Sequence, residues 1–172
     1  VNIIRIAKSK GTKLLMAFFK DYVFPDPKTA SFVDALVLSS IELVGTGDDV
    51  EGGMLLLSLL SQLNDNLITQ DILVELKSFY VDEANINTSA YAYALEILET
   101  ATSHLNGIRP EFSLEIQSFL LSKIINFHQR DMLTATSALW NLSRLSSTEG
   151  KIANAVVGTL KWVRKLYNEK NY

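Results

Sequence analysis

Apolar residues recur every three or four positions in each long segment of this chain, and no segment alternates regularly between apolar and polar residues. This spacing gathers the apolar side chains on one face of an α-helix, whereas a half-buried strand requires alternation. Prolines and glycines separate the segments, as expected for the turns between helices. The sequence therefore predicts an all-α fold with about eight helices and no strands.

The turn residues and helix-start patterns place the helices. We expect helices near residues 11–22, 27–44, 50–63, 67–80, 88–104, 111–127, 131–146 and 150–168. Asp26 followed by Pro27 marks one start, because an aspartate accepts a hydrogen bond from the first turn and proline fits the first helical position. Gly45 is expected to end that helix. Ser146 and Glu149 form a capping box ahead of the last helix.

Three of these helices align with one another without gaps. The aligned segments are residues 56–63, 94–101 and 138–145, which recur with a period of about 40 residues. A repeated helix pair cannot bury its own apolar face and must stack on the next pair. The alignment predicts a right-handed α-α superhelix of stacked pairs, with residues 1–172 forming one helical-repeat domain. A non-repetitive bundle of helices of similar length is the alternative.

The segment SALWNLS at residues 137–143, with the residues that follow it to 160, resembles the last helix of an armadillo repeat running into the next repeat. The resemblance implies armadillo- or HEAT-like stacking. In that family the asparagine of this motif faces a concave groove and holds the backbone of an extended peptide, which implies a protein-binding role for Asn141. Trp140 and Arg144 lie on the same helix and complete the predicted binding site. Leu59 and Ile97 occupy the place of Asn141 in the other two aligned segments, so no ladder of asparagines is predicted.

The composition removes several classes of function. The chain has no cysteine, which excludes a disulfide scaffold, a thiol nucleophile and a cysteine-ligated metal. Its longest uncharged apolar stretch, residues 52–64, is shorter than the roughly 20 residues that span a bilayer. We therefore expect a buried helix at this position and no integral membrane segment.

No residue pattern indicates catalysis. Neither His104 nor His128 has a partner at metal-ligand spacing, so we predict no metal, no cofactor and no enzymatic activity. His128 and Asp131 could serve as a base and its orienting group in a small all-α enzyme or ligand carrier. We favour a plainer interpretation, in which Asp131 caps the helix beginning beside it.

Residues 45–53 concentrate four glycines and three acids. They lack the lysine of a phosphate-binding loop and the alternating ligands and final glutamate of a calcium loop. We expect a flexible connection between helices, with its acids placed favourably at the start of the following helix.

The net charge of −3 is unevenly distributed, because both ends of the chain are basic and the middle is acidic. The cations near the ends are Arg5, Lys8, Lys10, Lys13 and Lys20, then Lys151, Lys161, Arg164, Lys165 and Lys170. Residues 3–20 mix lysines with bulky apolar residues, a pattern typical both of a membrane-surface helix and of a terminal repeat helix with a polar outer face. We favour the terminal helix.

These observations predict a non-catalytic scaffold or adaptor domain that binds a partner protein through a groove of stacked helices. The alternatives are a helical-repeat RNA-binding module that uses its basic ends, and the small all-α enzyme or carrier described above. Self-association could cover the ends of the stack. We expect an intracellular protein, cytoplasmic or nuclear, and since residue 1 is valine, a processed product or a segment of a longer chain.

Overall fold

The structure is a computed structural model, and it describes residues 2–145 and positions 158 and 165. Within these residues every regular element is helical and none is a strand, which confirms the predicted all-α class. The α-helices are α1 (Asn2–Ile6), α2 (Thr12–Phe18), α3 (Ala30–Thr46), α4 (Val50–Leu63), α5 (Gln70–Glu75), α6 (Lys77–Tyr80), α7 (Ser89–His104), α8 (Pro110–Lys123) and α9 (Gln129–Leu145). The predicted capping box at Ser146 and Glu149, and most of the predicted helix 150–168, lie outside the described residues.

Helical structure begins earlier than the sequence predicts. The expected start was residue 11, but α1 begins at Asn2, and a π-helical turn over Ala7–Gly11 joins it to α2. Ile4 and Ala7 are buried, and this segment packs against α4. Packing against α4 therefore stabilises helical structure before Gly11, where the sequence predicts none.

The start of the α3 region agrees with the sequence, and its end does not. The side chain of Asp26 accepts a hydrogen bond from the N–H of Lys28 at 2.9 Å, in a short 3₁₀ turn that leads into α3. The predicted end at Gly45 is wrong, because α3 continues to Thr46 and stops at Gly47. Gly47 has a φ of +79°, the left-handed conformation that ends a helix at low cost in glycine.

The helix Pro27–Thr46 is the one described helix long and apolar enough to cross a membrane, with 20 residues and a mean hydropathy of 1.3. Of its most apolar window of 18 residues, 17% is buried. The helix packs against α4, and its buried residues are Val33, Val37 and Ser40. The stretch at residues 52–64 forms α4, a buried helix as predicted.

α4 lies at the centre of the described fold, and each of its residues from 52 to 61 is buried. The predicted flexible connection is therefore wrong at its end, because Gly52 and Gly53 belong to this helix. A Cβ atom on Gly53 would lie 2.6 Å from the carbonyl oxygen of Ser40 in α3. This glycine lets the two helix backbones approach closely. Asp49 does act at the helix start, where its carboxylate accepts from the N–H of Gly52 at 2.9 Å.

A pair of buried tyrosines fixes α6 against α7. The Tyr91 hydroxyl donates to the backbone carbonyl of Tyr80 at 2.8 Å, and the Tyr80 hydroxyl donates to the carbonyl of Ala94 at 3.0 Å. Both side chains are fully buried, and burial raises the pKa of each hydroxyl. The two rings therefore fill the core while their hydroxyls satisfy buried carbonyls.

The helices α4, α7 and α9 form a row in which each packs on the next. Five polar contacts between different helical segments join residues separated by 38 to 42 positions in the sequence. These pairs are Ser58 with Glu96, Lys77 with Glu115, Arg109 with Asp71, Asn141 with Glu99, and Arg144 with Ser103. Each of these five contacts thus joins two residues about 40 positions apart in the sequence.

The start of α9 differs from the prediction. Asp131 was expected to cap this helix, but α9 begins at Gln129 and Asp131 lies inside its first turn. The Asp131 side chain is buried, and burial raises the pKa of its carboxyl group. The segment before the helix is held instead by Asn87, whose side-chain oxygen accepts from the N–H of His128 at 2.9 Å.

Candidate functional site

The predicted site residues lie where α9 meets α7. Asn141 donates through Nδ2 to the backbone carbonyl of Glu99 at 3.1 Å, and Arg144 donates to the carbonyl of Ser103 at 3.2 Å. Both side chains therefore reach across to the neighbouring helix. The buried residues of α9, among them Leu139 and Leu142, supply the apolar part of α9's packing surface.

A cleft of about 680 Å³ runs between the two helices. It is lined by Glu99, Thr100, Ser103, His104, Thr136, Ser137, Trp140 and Asn141. Two of the three predicted residues thus share one concave surface, and Arg144 lies one turn beyond Trp140 on α9.

Trp140 gives this cleft its apolar character. Its side chain remains 52% exposed, although the residues on either side of it in the sequence are more buried. The other lining side chains are polar, acidic or histidine and supply hydroxyl, carboxylate and imidazole groups. A large exposed ring beside such groups can pack an apolar side chain and leave hydrogen-bonding groups for a backbone.

The two histidines lie in different parts of the described fold. His104 Nε2 lies 3.1 Å from a carboxylate oxygen of Asp65, so this histidine joins the end of α7 to the turn after α4. No hydrogen bond joins the side chains of His128 and Asp131, and neither residue lines the cleft at Trp140. No group of three described His, Asp or Glu side chains is placed to hold a metal ion.

A polar network crosses the row of helices near Asp131. The Ser58 hydroxyl donates to Glu96 at 2.8 Å, and Arg130 donates to the other oxygen of the same carboxylate at 2.6 Å. Gln62 donates in turn to the Ser58 hydroxyl at 3.2 Å. Glu96 of α7 therefore links α4 and α9.

A second cleft, of about 610 Å³, was not predicted from the sequence. It lies among the end of α3, the starts of α4 and α7, and the α5–α6 segment. Three acids, Glu51, Glu75 and Asp82, line it together with apolar side chains such as Leu76 and Phe79. These residues come from separate elements with no common spacing, so no sequence pattern could have revealed the cleft.

The predicted basic ends fall into two parts. Lys8 is used within the fold, because its Nζ lies 2.9 Å from Asp49. Arg5, Lys13 and Lys20 are exposed and make no ion pair with another described residue. The cations after residue 150 lie outside the described residues except Lys165, whose position is exposed.

No protein family, no curated protein and no solved structure matches this chain.

Proposed function

We propose that this chain is a non-catalytic scaffold or adaptor domain that binds a partner protein in the cleft between α7 and α9. The observation that carries the proposal is Trp140, which is half-exposed at the wall of a concave surface. Tryptophan is enriched among the residues that dominate binding energy at protein interfaces. Exposing one without a partner leaves a large apolar surface in water.

The row of helices supports a repeat architecture for this domain. Contacts recur between residues 38 to 42 positions apart, as in armadillo- or HEAT-like stacking of helix pairs. Stacks of this kind bind partners along the surface that successive helices share. The cleft at Trp140 lies on such a surface, between the last two described helices of the row.

We assign a different role in binding to each of the three predicted residues, Trp140, Asn141 and Arg144. Trp140 supplies the apolar anchor. Asn141 already donates to Glu99, so its main task is to hold the cleft in shape. Arg144 uses one guanidinium nitrogen on Ser103, and its remaining donors are suited to a carbonyl or carboxylate of the partner.

The test is an affinity capture from lysate with the purified full chain, with and without nuclease, compared between wild type, Trp140→Ala and Leu133→Ala. Leu133 is a matched control, because it lies on the same helix, is 50% exposed and does not line the cleft. We expect a stoichiometric protein that survives nuclease, is retained by Leu133→Ala and is lost with Trp140→Ala. Circular dichroism of each variant checks that the helices are intact.

Two results would overturn this proposal. Capture that is equal for wild type and Trp140→Ala would place the binding surface elsewhere. Recovery of nucleic acid, with loss of all captured proteins after nuclease, would favour the RNA-binding alternative, whose affinity should fall steeply with salt.

A further inference from the structure

The helical segment over residues 12–23 carries a stripe of apolar side chains that are exposed to solvent. Leu14, Phe18 and Tyr22 follow one another at intervals of four residues and are 75%, 52% and 71% exposed. Leu15 and Phe19, each next in sequence to a residue of this stripe, are buried on the adjoining side of the segment. The segment thus has buried apolar side chains on one side and exposed apolar side chains on another.

The exposed stripe is organised rather than scattered. The rings of Phe18 and Tyr22 stack with centroids 5.8 Å apart, and Phe18 also contacts the edge of the buried Phe19 at 6.1 Å. The aromatic side chains are therefore held in place from within the core. Fixed aromatic rings at a surface lose little conformational entropy when a partner covers them.

Cations accompany this stripe. Lys13 and Lys20 are exposed on the same segment, and neither makes an ion pair with a described residue. No acid occurs before Asp21, the one carboxylate between the first residue and Tyr22. We define the N-terminal face as Leu14, Phe18 and Tyr22, and Lys13 and Lys20 lie on other sides of the same segment.

We propose that the N-terminal face docks on the surface of an anionic lipid bilayer. Aromatic and aliphatic side chains beside lysines suit the boundary between headgroups and acyl chains, where the rings enter the apolar layer and the lysines meet lipid phosphates. A second copy of the chain is a poorer occupant, because a two-fold contact through this face would bring the basic N-terminal segments of both copies together. The inference is independent of the cleft at Trp140.

The test is co-sedimentation of the full chain with phosphatidylcholine vesicles, with and without about 30% phosphatidylserine. We expect binding to the anionic vesicles, weaker binding to the neutral ones, and a loss of affinity as salt is raised. Leu14→Ser with Tyr22→Ser should abolish binding. Lys13→Gln with Lys20→Gln should weaken binding to anionic vesicles by about 30-fold, since each cation contributes near a charged surface.

Leu133→Ser is the control, because it removes an exposed apolar side chain from α9, outside the N-terminal face, and should leave vesicle binding unchanged. Failure of the wild type to bind anionic vesicles would overturn the proposal, as would equal binding by the Leu14→Ser, Tyr22→Ser variant. Sedimentation velocity supplies a further arm. A dimer that this double variant dissociates would assign the face to a second copy and also overturn the proposal.

Discussion

The side-chain amide of Asn87 donates a hydrogen bond to the backbone carbonyl of Asn126, 39 residues away, at 2.9 Å. Its oxygen accepts from the N–H of His128 at the same distance, so one side chain ties the loop before α7 to the loop before α9. Asn87 also has a φ of +65°, a left-handed conformation that asparagine tolerates better than most residues. Its conformation and its contacts together fix the spacing between the two helices.

Replacing Asn87 should loosen this link. We expect Asn87→Ala to lower the free energy of unfolding by about 1–2 kcal/mol, because two hydrogen bonds are lost and alanine disfavours the positive φ. Asn87→Gly loses the same bonds without the backbone cost and should be less destabilised than Asn87→Ala. Urea unfolding of the three proteins measures the difference. Equal stability of wild type and Asn87→Ala would show that the link contributes nothing.

A second prediction concerns the close contact between α3 and α4 at Gly53. Gly53→Ala should destabilise the fold by about 1–3 kcal/mol, because its Cβ would meet a backbone carbonyl that cannot move independently. Gly45→Ala is the matched control, since no atom lies within 4 Å of its added Cβ and alanine favours a helix. Gly45→Ala should therefore be neutral or slightly stabilising in thermal unfolding. Similar effects of the two changes would argue against close packing at Gly53.

The buried tyrosines should resist ionisation. Tyr91→Phe leaves the buried carbonyl of Tyr80 without its donor and should cost about 1–3 kcal/mol, whereas Tyr22→Phe, at an exposed hydroxyl, should cost nothing. Burial raises the pKa of Tyr80 and Tyr91, so the unfolded chain ionises first and stability falls as the pH rises above about 10. Absorbance at alkaline pH should show that Tyr80 and Tyr91 ionise only on unfolding. Ionisation of all six tyrosines before unfolding would contradict this.

Two aspartates should respond to pH in opposite directions. Burial raises the pKa of Asp131, so the folded state disfavours its charged form, and wild type should lose stability relative to Asp131→Asn as the pH rises above about 4. Hydrogen bonds from Lys8 and the Gly52 N–H lower the pKa of Asp49. That contribution is present above about pH 4 and is lost as the pH falls through the lowered value.

Urea midpoints of wild type, Asp131→Asn and Asp49→Asn from acid to neutral pH separate the two effects. The stability difference between wild type and Asp49→Asn should grow in favour of wild type with rising pH. The difference for Asp131→Asn should change in the opposite sense. Parallel curves for both variants would refute the assignment.

Much of this fold follows from local sequence patterns. Asp26 and Pro27 begin their turn where the sequence predicts, since the cap needs only a neighbouring N–H. The ends that were misplaced depend on distant residues. Helical structure before Gly11 is supported by burial against α4, and Asp131 is drawn into its helix while Asn87, from another loop, holds the preceding segment.

In the candidate site, too, some features follow from local sequence and others depend on distant residues. The prediction of Trp140 and Asn141 rests on a motif that is continuous in sequence, whereas the hydrogen-bond partner of Asn141, the carbonyl of Glu99, lies on the neighbouring helix. The exposure of Trp140 depends on how α9 packs against its neighbours, which the sequence motif does not encode. The acidic cleft needs several elements at once and was therefore missed.

The burial of α4 on every side has a consequence for how the protein opens. Its neighbours must separate before solvent can reach the amides from residue 52 to 61, whereas helices at the edge of the row need lose only one contact surface. Hydrogen exchange should consequently be slowest in α4 and faster toward both ends of the described row. A chain built this way can release the segment that carries the N-terminal face while its centre stays folded.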